Sequence, residues 1–345
     1  MQTERVKRLI VEPLEKRVLL SGLWQGTDVD GDPVTIRLRG PGEFSLSLVE
    51  EGFGERIDRI ELIGTGPASR LTVNARRSGG DGYVDIGEID AEFESLRQIQ
   101  VDGNIGNLYV GSVDKVTAYS AATLDGSEGE WFLDDDVKQI RLKGDMDLMY
   151  IEIDGSLKKV TINGSMSAAT LFVDGQLRQL RVKGDVEADS IIHAEGMIGQ
   201  IRIDGFLDRS TIETNGVQKK LHVGEDILDS VVFAEGSMKR IVVHGSIVGS
   251  VIETRDTIQR MWLGWDIIDS VIQADWAIGT IVADGGMDNS TIESGGYIRR
   301  IDVWDWITES EIIAGPEGIG TIFAYDISDT TIDTLGGVRH LILDA

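Results

Sequence analysis

The chain has no cysteine in its 345 residues, which excludes disulfides, thiolate zinc sites, iron–sulfur clusters and a cysteine nucleophile. Proline is scarce at 5 residues, while glycine reaches 42 without a three-residue period. That combination excludes collagen and proline-rich linkers and calls for many tight turns. No apolar run reaches the roughly 18 residues of a membrane-spanning helix. The basic N-terminus (Arg5, Lys7, Arg8, Lys16, Arg17) flanks only Val18 to Leu20, too short for the apolar core of an ordinary signal peptide. Positive charge is also in short supply: Lys plus Arg total 33 against 59 acids, a formal net charge of -26. Such a surface repels nucleic acid and anionic lipid, and attracts divalent cations and basic partners.

What the chain does have is enough apolar residue, 41% against 27% charged, to build a core, and it has a repeat. Cut every 20 residues, the second half aligns: GMIGQIRIDGFLDRSTIETN from Gly196, GVQKKLHVGEDILDSVVFAE from Gly216, GSMKRIVVHGSIVGSVIETR from Gly236. One column reads Thr170, Ser190, Ser210, Ser230, Ser250, Ser270, Ser290, Ser310, Thr330. Two residues on comes Phe172, Ile192, Ile212, Val232, Ile252, Ile272, Ile292, Ile312, Ile332. A third column is Ile201, Leu221, Ile241, Met261, Ile281, Ile301. A fixed period of this length is the signature of a repeat architecture.

Within each unit apolar and polar residues alternate in short stretches such as Ile201-Arg202-Ile203, so the unit is built of strands with alternate side chains inward. Two or three strands per coil at nearly constant length predict an all-β fold, a parallel β-solenoid of about 20 residues per coil, each strand pairing with its equivalent one coil on. The crossover rule favours right-handed coiling. Residues 23–75 read instead as a hairpin and further strands, a small N-terminal β cap that would shield the first coil's edge. The division predicted is 1–22 export segment, 23–75 cap and 76–345 solenoid. Residues 124–137 (LDGSEGEWFLDDDV) break the pattern and are expected to form a loop insertion.

Residues 12–22, EPLEKRVLLSG, resemble the N-terminal LEPR-x-LL motif of large exported repeat proteins from planctomycete-type bacteria, matching at Leu14, Glu15, Arg17, Leu19, Leu20 and Ser21. Lys16 stands where that family usually has proline, and Gly22 where alanine is usual. The stretch from Asp28 to Gly42 and the glycine-punctuated coils also look like that group. The resemblance implies export and a cell-surface or matrix location, with no chemistry attached.

Few residues carry candidate chemistry. Asp28, Asp30 and Asp32 have the spacing of a calcium loop's first ligands, but Arg39 stands where the late bidentate acid would be. The readings are a solvated hairpin turn, preferred, and a weak calcium site; no other cofactor is expected. Asp134, Asp135 and Asp136 read as a solvated acidic run. His222 and His244 fall close enough on adjacent coils for their rings to meet, and His193 lies beside Glu213. Paired basic residues recur outward (Lys158 and Lys159, Lys219 and Lys220, Lys239 and Arg240, Arg299 and Arg300), as a solubilising face in preference to a polyanion-binding stripe. Nine serines or threonines in one column cannot be nine nucleophiles; they are structural. The late aromatics Trp262, Trp265, Trp304, Trp306 and Tyr325 either support one another across coils or form a sugar- or partner-binding surface.

The expected function is therefore non-catalytic: a structural or adhesive rod, with a carbohydrate-binding module as the alternative and a polysaccharide-active enzyme ranked last. Since the coil Gly337 to Leu343 reads as an ordinary repeat with only two residues after it, end-to-end self-association is expected there, or contact with another envelope component.

Overall fold

The computed structural model describes residues 16–20, 22–123 and 126–344. The first fifteen residues and Ser21, which hold much of the expected export segment, lie outside this set, as do Leu124, Asp125 and Ala345. The chain winds into a parallel β-solenoid of about 13 turns of about 20 residues, and no helix occurs among the described residues.

Each regular turn has three faces. A long face carries strands such as Ile198–Ile203 and Gln218–Val223. A short face has two-residue strands such as Leu207–Asp208 and Ile227–Leu228. A middle face has four-residue strands such as Thr211–Thr214 and Val231–Ala234. Stacked, they make sheets of 16, 10 and 16 strands for the long, short and middle faces. Alternation drives this: in Ile198–Ile203 the residues Ile198, Ile201 and Ile203 are buried and those between them are half-buried. The inner ladder Ile201, Leu221, Ile241, Met261, Ile281, Ile301 pairs residue for residue as expected.

Two columns need correction at their upstream end. Leu171 pairs with Ile192, and Phe172 pairs with His193. Phe172 therefore faces outward, and its place in the buried ladder belongs to Leu171; likewise Ala169 donates its N–H to Ser190 Oγ where Thr170 was expected. The cause is one extra residue in the corner after Val186–Glu187, where both Ala188 and Asp189 adopt positive φ.

The expected loop at 124–137 is also corrected. Gly129–Leu133 is a strand of the middle face between Gly103–Val113 and Met149–Ile153. Trp131 in it is fully buried, with its indole N–H donated to the Gly106 carbonyl at 3.1 Å. Val137 bridges to Leu157.

The N-terminal strands extend the solenoid's own sheets. Glu43–Glu51 runs antiparallel to Gly54–Ile63, which then pairs in parallel with Val84–Leu96. Pro33–Arg39 runs antiparallel to Arg70–Ala75, which pairs in parallel with Gln98–Val101. The switch to antiparallel pairing closes the stack against further parallel addition. Lys16–Leu20, part of the motif region, pairs antiparallel with Glu43–Glu51.

Candidate functional site

The Asp28 to Asp32 segment is the tip of the hairpin between Leu23–Thr27 and Pro33–Arg39. Gly31 takes φ 96 there, a conformation open to glycine without strain. The tip packs on a second tip, at Gly52 and Gly54; a Cβ at Gly54 would lie 2.1 Å from the Asp28 carbonyl oxygen.

The three aspartates separate in role. Asp32 is fully buried and accepts backbone N–H groups from the 78–82 loop: Gly79 and Gly80 at 3.0 Å on Oδ1, Gly82 at 2.7 Å on Oδ2, and Ser78 as well. Those donors, Gly79 first, hold its carboxyl well below the usual range. Asp30 approaches the same loop, accepting the Asp81 N–H at 2.9 Å, and the two are close: a Cβ at Gly80 would lie 1.9 Å from Asp30 Oδ2 and would displace that carboxylate. Asp28 is 4% exposed; its Oδ1 accepts the Asp32 N–H at 2.7 Å. Asp28 Oδ2 and Asp30 Oδ1 are buried without a hydrogen-bond donor. Burial and the neighbouring Asp30 push the Asp28 carboxyl up to about 6. The cavity here, about 370 Å³, is lined by Asp28, Asp30, Glu51, Glu55, Asp81 and Asp85. Arg56 also lines it, with its guanidinium taken by Glu51 at 3.3 Å and Asp58 at 3.6 Å.

The late aromatics do not share one surface. Trp262 is outward on the long face but half-buried, edge-on to His244 at 5.4 Å. Trp265, Trp304, Trp306 and Tyr325 are exposed near the next corner, and the Trp304 ring packs on Phe323 at 5.3 Å. The His222 and His244 rings meet at 4.9 Å. His193 stacks on Phe172 at 4.7 Å and lies 3.5 Å from Glu213 and 3.2 Å from Glu195.

The long face also carries a groove. An open cavity of about 580 Å³ lies between Arg240, Arg260, Arg299 and Arg300, with Trp262 and the low position Gly279 in its lining. Arg300 is held by Asp302 at 2.7 Å; Arg240, Arg260 and Arg299 pair with no carboxylate among the described residues. The signal in the sequence was Gly279-Thr280 interrupting the basic column pair, which turns a ridge into a trough.

No protein-family model, curated protein or solved structure matches this chain.

Proposed function

We propose that this chain is a structural or adhesive protein of the cell surface or extracellular matrix, working as a rigid rod that presents repeated outward columns. The observation that carries the reading is the stacking of the long and middle faces in two 16-stranded sheets, joined from Met146 onward by the short face, around one continuous apolar core. A body whose every turn is hydrogen-bonded to the turns on either side resists bending and local unfolding. The surface location rests on the resemblance at residues 14–21. Immunogold labelling of intact producing cells tests it: label on unbroken cells supports the reading, and label seen only after permeabilisation refutes it.

End-to-end contact between copies belongs to the same proposal. Leu341, Ile342 and Leu343 in the strand Val338–Leu343 are half-exposed apolar residues. Light scattering over a concentration series should show dimers or longer species that Leu341→Lys with Leu343→Lys removes. A monomer at every concentration would end this part of the proposal.

The arginine groove favours a second reading, binding of an anionic polysaccharide. Unpaired guanidiniums spaced along a rod of net charge -26 match a linear polyanion, and a tryptophan beside them offers a face for a sugar ring. Dextran sulfate should bind in a salt-sensitive manner, neutral dextran should not, and Arg260→Gln with Arg299→Gln should weaken the former. Equal binding of both polymers would exclude it.

A further inference from the structure

Of the three aspartates at the hairpin tip, one is already used by the fold. Asp32 spends both oxygens on backbone donors of the 78–82 loop, the arrangement by which a concave run of N–H groups holds an anion. The other two are left with an unanswered demand. A carboxylate oxygen without a donor is costly when buried, and Asp28 Oδ2 and Asp30 Oδ1 are two such atoms in one place. One oxygen each from Asp28, Asp30 and Asp32 lies within 4.8 Å of the others. Four further acids line the same cavity, and the one cation in its lining already serves Glu51 and Asp58.

We propose that this cavity is a calcium site in which Asp28 and Asp30 supply the buried ligand oxygens, Asp81 from the facing loop and Asp85 from the strand Val84–Leu96 complete the shell, and Asp32 holds that loop in place.

The ion is calcium by its chemistry. All the donors are hard oxygens, they come from separated stretches of chain, and the cavity is roomy and irregular. Calcium accepts six to eight oxygens in flexible geometry, whereas magnesium demands a compact octahedron and keeps its waters. The late acid of a contiguous calcium loop is absent at Arg39, and the facing loop replaces it; the ligands are joined by the fold. Bound calcium would pin the hairpin tip to the first parallel rungs and stiffen the N-terminal end.

The test titrates calcium chloride into the full chain, in salt sufficient to screen the acidic surface. One saturable site is expected in the wild type, and its loss in Asp28→Asn and in Asp30→Asn. A second readout guards against misfolding. Calcium should raise the melting temperature of the wild type and not that of Asp28→Asn, which without calcium should be at least as stable as the wild type, because an amide removes the crowded charge. Unchanged binding in both variants, or only non-saturating uptake that salt abolishes, overturns the proposal.

Discussion

A residue with positive φ sits at every regular corner between the short and middle faces. Leu148, Ala168, Asp189, Arg209, Asp229, Gly249, Asp269, Asn289, Glu309 and Asp329 form that column. For residues with a Cβ this conformation costs about 1–2 kcal/mol each. Where a serine follows, from Asp229 to Glu309, it persists because that serine is over-determined: Ser250 Oγ donates to the Val248 carbonyl at 2.8 Å and accepts the N–H of Ser230, one coil back, at 3.0 Å. The same pair of bonds recurs at Ser230, Ser270, Ser290 and Ser310, which explains a column that resembles a row of nucleophiles. Two outcomes follow for urea unfolding. Glu309→Gly should gain about 1 kcal/mol by relieving the Cβ, and Glu309→Val should lose at least as much, since a β-branched side chain tolerates this region worst. Ser250→Ala should cost about 1–3 kcal/mol, because it strands a buried N–H in the neighbouring coil.

At the scale of the coil, the corner between the long and short faces runs on a two-coil rhythm. Asp145 accepts the Ser165 N–H and Ser165 Oγ accepts that of Asp185; Asp226, Ser246, Asp266 and Gly286 repeat the scheme. The rhythm keeps like charges from stacking directly on one another at about 4.8 Å. The glycines complement it: a Cβ at Gly164, Gly205, Gly245 or Gly285 would lie 1.9 to 2.1 Å from an oxygen of the aspartate in the coil before. Removing two coils, residues 236–275, places Gly285 and Gly286 over Asp226 and restores the native corner. Removing one, residues 236–255, places Trp265 where Gly245 made room and stacks Asp266 on Asp226. Thermal unfolding should find the two-coil deletion close to the wild type and the one-coil deletion clearly less stable. Equal stability of the two would show that the corner alternation has no energetic role.

For the whole molecule, the regular coils were legible because alternation, glycine punctuation and a constant 20-residue period all agree there. Legibility failed where the period changed. Leu108 pairs with Trp131, a step of 23 residues, so a fixed cut lost the register and the acidic flanks made a buried strand read as a loop. One extra residue at Ala188-Asp189 did the same to Phe172, and a second, near Pro316, sets Tyr297 opposite Gly318 at a step of 21 residues. The hairpin site was half legible: the aspartate spacing is local, whereas the loop that claims Asp32 lies about fifty residues on and no short motif announces it. The arginine groove depends on which columns face outward, and so needed the register first.

The rod itself is tested most directly by negative-stain imaging of the purified chain beside its two-coil deletion. About 13 turns at about 4.8 Å each give a parallel stack of about 60 Å. An elongated particle is expected, shortening by about 10 Å when residues 236–275 are removed, with its cross-section unchanged. A particle without a long axis, or a deletion that changes the width and not the length, would contradict it.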